Sequence, residues 1–188
     1  MTTWARLGLD KNERYFCFCP RRWAGMEDKL TLFAAAAEHV WKSYGLTPLL
    51  LSVNPLQDER TTESFRARIK APCAVVEESL ETSEMVGLIG RMAAVLAMRL
   101  HVLIFAASQS VPLAAVSYDP KVASFLDYLD QTNYIDYEAL DAAEQLFALI
   151  DAAATADRAA LAAATERIRA IESRNPETAR KLLGRSEA

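Results

Sequence analysis

An arginine and a histidine two residues apart are the clearest candidates for chemistry in this sequence. Arg99 and His101 flank Leu100, between an apolar segment that predicts a strand and another that predicts a helix. Backbone N–H groups at the start of a helix face a bound anion, and an arginine can grip a phosphate or carboxylate with two parallel hydrogen bonds. A histidine at the same place can transfer a proton near neutral pH. The competing interpretation is structural: a plain ion pair for Arg99 and a half-buried side chain for His101.

Cationic residues follow two other predicted strands. Arg21 and Arg22 come directly after the first, and Lys121 follows the fifth, within the run Tyr118-Asp119-Pro120-Lys121. Three of five strand ends are therefore cationic, although the chain has a net charge of −4. Because parallel α/β sheets bind ligands beyond the carboxyl ends of their strands, this bias predicts an anion pocket. Taken singly, each residue also has a structural explanation: a solvated turn, a helix cap at Asp119 and a surface lysine.

The elements that must position these residues alternate between strand and helix. Five apolar segments predict strands, at 14–19, 47–53, 73–76, 93–98 and 112–116. Helical patterns follow them at 27–44, 58–70, 83–92, 101–108 and 120–129, and after a short extended piece at 133–135 two further helices are predicted at 137–152 and 159–183. Strands without polar alternation indicate a parallel sheet that is covered on both faces. With right-handed crossovers, the prediction is an α/β fold, a Rossmann-like doubly wound sheet of about five strands with extra C-terminal helices.

Composition narrows the classes of function. The acidic balance of the 188 residues argues against a nucleic-acid partner, and no apolar run reaches the roughly 20 residues that a membrane span needs. Three cysteines supply no disulfide framework and lack partners for a metal site, so we expect reduced buried thiols, a cytoplasmic location and no metal or cofactor. The sequence also contains no Gly-rich phosphate loop, no GxSxG motif and no HExxH motif.

The segment 82–122 resembles the signature of the polysaccharide pyruvyl transferase family, particularly its CsaB-type members. Four motifs stand in the family's order and spacing: Met98-Arg99-Leu100-His101, Phe105-Ala106, Val111-Pro112 and Tyr118-Asp119-Pro120-Lys121-Val122. Upstream, Cys19-Pro20-Arg21-Arg22-Trp23 is similar to a motif at the end of a strand in that family. The likeness extends over most of the chain, from about residue 13 to 152.

The resemblance implies a domain organisation and a set of site residues. Family members resemble GT-B glycosyltransferases, whose two Rossmann-like halves face a cleft. The chain is then expected to be the second half, with a donor domain at 1–152, a helical extension at 153–188 and the N-terminal acceptor half absent. The implied site residues all follow strands: Arg99, Leu100 and Arg21 bind phosphoenolpyruvate, His101 donates a proton, and Arg22, Tyr118, Asp119 and Lys121 support them.

The resemblance also implies a function. The expected enzyme adds a pyruvate ketal from phosphoenolpyruvate to a sugar, such as N-acetylmannosamine in the precursor of a cell-wall polymer, and works in the cytoplasm or at the inner face of the membrane. Two alternatives stay open. One is a GT-B-like glycosyltransferase domain with a nucleotide-sugar donor, and the other is a non-catalytic interaction module.

Overall fold

The computed structural model describes residues 3–173, which form a sheet of six parallel strands between two layers of helices. The strands are β1 (Tyr15–Cys19), β2 (Thr47–Leu51), β3 (Ala74–Val76), β4 (Ala94–Ala97), β5 (Leu113–Ser117) and β6 (Tyr134–Asp136). They lie side by side in the order β3-β2-β1-β4-β5-β6, and every neighbouring pair is parallel. The predicted α/β Rossmann-like fold is confirmed, and the sixth strand comes from the segment that was predicted as a short extended piece.

Eight α-helices connect and cover the strands in the part of the chain that the structure describes. They are α1 (Thr3–Arg6), α2 (Met26–Tyr44), α3 (Pro55–Arg68), α4 (Thr82–Ile89), α5 (Leu100–Ser108), α6 (Pro120–Tyr128), α7 (Ala143–Thr155) and α8 (Arg158–Glu172). Of these, α2, α3 and α7 cover one face of the sheet, and the others cover the opposite face. Among residues 3–173, no helix combines the length and the apolar composition needed to cross a bilayer.

The strands are apolar throughout because both faces of the sheet are buried. In β1, Phe16 and Phe18 belong to the core under α2, α3 and α7, whereas Cys17 and Cys19 belong to the core on the other face. All four side chains have no exposed surface. Alternate residues of a strand point to opposite faces, so a strand at the centre of a doubly wound sheet can carry no polar side chain without burying it.

Helix ends largely follow the predicted signals. Gly45 ends α2 in the left-handed conformation, with φ of 60°, and its N–H donates to the carbonyl of Trp41 over 3.0 Å. The side chain of Asp119 caps α6 by accepting the N–H of Lys121. Most other boundaries lie within one or two residues of the predicted ones. The exceptions are α3, which begins at Pro55 instead of 58, α4, which ends at Ile89 instead of 92, and α7, which ends at Thr155 instead of 152. The sequence pattern did not predict α1.

The continuous helix predicted at 137–152 was wrong. Residues Tyr137–Ala139 form one turn of 3-10 helix, and α7 begins only at Ala143. The Lys29 ammonium donates to the carbonyls of Tyr137 and Leu140, at 2.7 and 2.5 Å, and so takes acceptors that a continuing helix would have used. The helix predicted at 159–183 is present as α8, whose Leu161 packs in the same core as α5; its predicted end lies outside the described residues.

Candidate functional site

The candidate site lies where the strand order of the sheet changes direction. β1 and β4 are neighbours at the centre, and from them the chain proceeds outward on each side. The carboxyl end of β1 leads into the loop 20–25, which carries Arg21 and Arg22. The carboxyl end of β4 leads to Arg99, directly before α5, and to His101, in its first turn. Connections leave the sheet in opposite directions at such a switch point, so a crevice opens there, and ligands of this class of fold bind in it.

Arg99 is fixed at this point by a buried carboxylate. It is the residue before α5, and its Nη2 donates to Oδ2 of Asp58 in α3. The side chain of Asp58 is 1% exposed and that of Arg99 is 16% exposed, so the ion pair is largely shielded from water. The Nε of Arg99 is buried and has no hydrogen-bond partner among residues 3–173.

Asp58 also connects the ion pair to the loop after β1. Its second oxygen, Oδ1, accepts the backbone N–H of Arg22 over 3.0 Å. One carboxylate therefore links segments that follow three different strands, β1, β2 and β4. The sequence analysis missed Asp58, because a charged residue in a polar helix is expected at an exposed position. The available signal was the Asn54-Pro55 pair: a helix that starts there places Asp58 in its first turn, at the carboxyl edge of the sheet.

A cationic-aromatic cluster forms the neighbouring part of this edge and consists of Arg21, Trp23, Tyr118 and Lys121. The guanidinium carbon of Arg21 lies 4.3 Å from the ring centroid of Tyr118 and 5.1 Å from that of Trp23. The two rings are 4.7 Å apart, and Nζ of Lys121 lies 5.7 Å from Tyr118. The cluster thus connects the end of β1 with the end of β5, as the sequence predicted for residues that follow parallel strands.

The positive groups at this edge stabilise the ionised form of the Asp119 carboxyl. The backbone N–H of Lys121, followed by its ammonium and by Arg21, outweighs desolvation and holds the pKa of Asp119 below its usual range. A cleft of about 520 Å³ opens beside the loop and is lined by Arg21, Arg22, Trp23, Ala24 and Gln57. Two arginines and one amide thus line a space large enough for a small anionic ligand.

His101 differs from the other predicted site residues because it is free. It is the second residue of α5, it is exposed, and it makes no hydrogen bond or ion pair with the described residues. Leu100, between Arg99 and His101, is partly buried and packs against the core under α5. Arg99 and His101 therefore share the start of one helix, with the arginine held inward and the imidazole open to solvent.

The cysteines take no part in this edge as reactive groups. Burial raises the pKa of Cys19 to about 12, although the nearby Arg99 guanidinium opposes the shift. Burial also raises the pKa of Cys17 well above its usual value, and all three cysteines are free thiols. Within residues 3–173, no group of three or more His, Cys, Asp or Glu side chains is arranged to hold a metal ion.

Comparison with known proteins identifies the family. The model of the polysaccharide pyruvyl transferase family matches residues 4–120. This chain belongs to that family. The match includes β1 to β5 and hence Arg21, Arg22, Asp58, Arg99 and His101. The resemblance to the polysaccharide pyruvyl transferase family is confirmed at the level of the family. No curated protein matches the chain.

Solved structures with the same fold include an epimerase and glycosyltransferases. UDP-GlcNAc 2-epimerase from Methanocaldococcus jannaschii is 15% identical with a TM-score of 0.64, and the match covers 91% of this chain and 49% of that protein. E. coli ADP-heptose LPS heptosyltransferase II is 15% identical with a TM-score of 0.63, over 81% and 50% of the two chains. The glycosyltransferase SnogD from Streptomyces nogalater is 18% identical with a TM-score of 0.53, over 98% and 46%.

At these low sequence identities, the similarity to the solved structures shows that the fold is shared and nothing more. This member of the pyruvyl transferase family spans about half the length of the solved structures that it matches. The fold is therefore that of one Rossmann-like half as found in GT-B-like glycosyltransferases and epimerases.

Proposed function

We propose that this chain is the donor-binding half of an enzyme that transfers pyruvate from phosphoenolpyruvate to a sugar as a cyclic ketal. The observation that carries the proposal is the gathering of Arg21, Arg22 and Arg99 at the switch point of the sheet, in an acidic chain of the pyruvyl transferase family. Phosphoenolpyruvate has a phosphate and a carboxylate, and arginine forks recognise both groups.

In the proposed site, the arginines bind the donor and the exposed histidine transfers the proton. Arg99 and Arg21 bind the phosphate and the carboxylate of the donor, and Leu100 shapes the pocket between Arg99 and His101. His101 gives a proton to the methylene carbon, for which a free and exposed imidazole is suited. The remaining residues support the donor at its rim: Arg22, Tyr118, Asp119 and Lys121.

The proposed reaction balances without a metal or a further cofactor. Protonation of the methylene carbon makes a methyl group and a cationic centre at C2, which a sugar hydroxyl attacks with loss of its proton. The C2–O bond to phosphate then breaks, a second hydroxyl of the same sugar adds to C2 with loss of its proton, and inorganic phosphate departs. Positioned cations stabilise the leaving phosphate, and a fixed guanidinium at Arg99 suits that task.

The acceptor in the proposed reaction is a sugar. We place it among sugars of cell-wall polymers, such as an N-acetylmannosamine-containing precursor at the cytoplasmic face of the membrane. Since this chain spans about half the length of the solved structures it matches, we propose that an acceptor-binding half completes the active site.

A nucleotide-sugar glycosyltransferase is the second candidate, because glycosyltransferases share the fold. Ligand-observed and protein-observed NMR with phosphoenolpyruvate, UDP and GDP separates the two. The proposal expects phosphoenolpyruvate to shift signals of the loop 20–25 and the start of α5, with weaker effects from the nucleotides. Tighter binding of a nucleoside diphosphate would favour the glycosyltransferase. No response to millimolar phosphoenolpyruvate or nucleotide would favour a non-catalytic module.

A further inference from the structure

We infer that Asp58 is a positioning residue that holds the Arg99 guanidinium and the loop 20–25 in one fixed arrangement, so that they bind an anionic donor together. The inference rests on the proposed function for the identity of the donor. It adds a role for a residue that follows β2, a strand from which no site residue was predicted.

A buried carboxylate is an unexpected group at an edge that is proposed to bind an anion. Its negative charge repels the donor, and burial of a charge is itself unfavourable. Asp58 is nevertheless 1% exposed and directly paired with Arg99. A role in orienting the cation accounts for both facts, because an orienting group must lie behind the arginine and not beside the ligand.

The two contacts of Asp58 require a carboxylate and not merely a polar side chain. Arg99 Nη2 and the backbone N–H of Arg22 are both donors, and each is directed at a different oxygen of Asp58. An asparagine amide has one acceptor oxygen and one NH₂ group, so it can satisfy only one of the two donors and must point hydrogens at the other.

The helix that carries Asp58 is itself well anchored. Phe65, in the following turns of α3, is fully buried and lies edge-on against Phe18 of β1 and Phe33 of α2, at centroid distances of 5.8 and 6.0 Å. Asp58 is therefore presented from a rigid element, whereas both of its partners lie at the ends of strands. Rigid support of this kind is what keeps a binding group in its productive geometry.

The hydrogen bonding of Arg99 indicates that Asp58 determines the position of its guanidinium group. Its Nε is buried without a partner among residues 3–173, and Nη2 is engaged by the carboxylate. The Arg99 side chain as a whole is 16% exposed. The guanidinium is thus held by Asp58 at one nitrogen while part of the side chain stays accessible.

The decisive experiment compares Asp58→Asn with the wild type and with Asp130→Asn. Asp130 also pairs with an arginine, Arg167, at 2.6 Å, but it is exposed and follows α6 at the opposite edge of the sheet. Its backbone is left-handed with φ of 54°, a conformation that asparagine tolerates. The control therefore makes the same Asp-to-Asn change at an arginine ion pair without straining the backbone.

The first measurement needs no ligand. The arginine Nε–H signals are recorded by NMR, and the Arg99→Lys variant identifies the signal of Arg99 by its loss. We expect a signal protected from solvent exchange in the wild type and in Asp130→Asn, and an exchange-broadened one in Asp58→Asn. An unprotected wild-type signal, or a signal unaffected by Asp58→Asn, would overturn the inference even if the variant is too unstable for binding studies.

The second measurement is a double-mutant cycle on affinity for phosphoenolpyruvate. We expect Asp58→Asn to weaken binding roughly 10-fold to 100-fold, which corresponds to one charge-assisted hydrogen bond. Added to Arg99→Ala, the same change is expected to weaken binding much less than it does alone, because its contact with Arg99 is already lost and only the contact with the backbone N–H of Arg22 remains. Independent, multiplicative losses would contradict a positioning role. If the wild type binds no phosphoenolpyruvate, the proposed function fails, and the Nε–H signals still decide whether Asp58 fixes Arg99.

Discussion

His39 of α2 and Asp151 of α7 are joined by a 2.6 Å contact between Nε2 and Oδ1, near the amino edge of the sheet. The imidazole also stacks on Phe147, with centroids 4.5 Å apart and planes inclined by 12°. Tyr44 donates its hydroxyl hydrogen to the same Asp151 oxygen over 2.8 Å. Both histidines of the chain thus lie on helices, but His39 connects two helices, whereas His101 has no partner among the described residues.

We expect His39→Ala to lower the free energy of unfolding by about 1 kcal/mol, because the ring stacking and the hydrogen bond are lost. Urea denaturation measures this change. A turnover change without a stability change would contradict the structural role.

The same contact predicts a dependence of stability on acid. Burial raises the pKa of Asp151, but the hydrogen bonds from His39 and Tyr44 outweigh it and leave the pKa below its usual value. A group with a depressed folded-state pKa contributes stability above its unfolded pKa, near 3.9 for aspartate, and loses it as pH falls through the folded value. Below about pH 4, the wild type is therefore expected to lose more stability than Asp151→Asn. Because Asp151 is about half exposed, at 48% of its side chain, the difference is small. Parallel urea curves at pH 6 and pH 3 measure it.

Arg99→Ala is expected to affect both binding and stability. The change leaves the Asp58 carboxylate buried without its cation, and loss of one partner of a buried pair costs about 3–5 kcal/mol. Thermal unfolding checks the stability, and a phosphoenolpyruvate titration checks the binding. Asp58→Asn in the Arg99→Ala background removes the unpaired charge, so it is expected to recover part of the stability without recovering binding. A fully stable Arg99→Ala variant would show that the ion pair is not as shielded as its burial indicates.

His101→Ala is expected to affect turnover alone. The side chain is exposed and unpaired among the described residues, so its removal leaves the melting temperature unchanged. If His101 donates the proton as proposed, its loss is expected to lower kcat by roughly 10²–10⁴-fold. The measurement is phosphate release in the presence of acceptor, with His39→Ala as a matched control on the other histidine. Unchanged kcat in His101→Ala would exclude it as the proton donor.

Thiol labelling tests whether the cysteines of β1 are buried in the native protein. Cys17 and Cys19 are fully buried, with pKa values raised by that burial, to about 12 for Cys19. Cys73, just before β3, is only partly buried, although burial raises its pKa as well. Since only the thiolate reacts, iodoacetamide at pH 8 is expected to modify Cys73 slowly in the native protein and all three in urea. Rapid native labelling of Cys17 or Cys19 would mean that β1 is not the closed central strand described above.

The sequence predicted the parts of the site that depend on local pattern. The placement of Arg99 and His101 at this edge could be predicted because they stand at a junction between an apolar strand and an apolar helix, and such junctions lie at the carboxyl edge of a parallel sheet. Asp58 was not found, because its two contacts cross 36 and 41 residues of chain and leave no periodic mark. The break before α7 was missed for a similar reason: it depends on Lys29, more than a hundred residues earlier.

The strand order also determines which parts of the chain would separate if the sheet opened between β1 and β4. Arg21, Arg22 and Asp58 belong to the segment up to β3, whereas Arg99, His101, Tyr118 and Lys121 belong to the segment from β4 onward. A single connection, through residues 77–81 and α4, joins the two segments in the chain. An anion bound as proposed, by arginines of both segments, would link the two segments across the boundary between β1 and β4. Such binding is expected to oppose their separation, so a protein cleaved within 77–81 is expected to stay folded longer with the anion bound than without it.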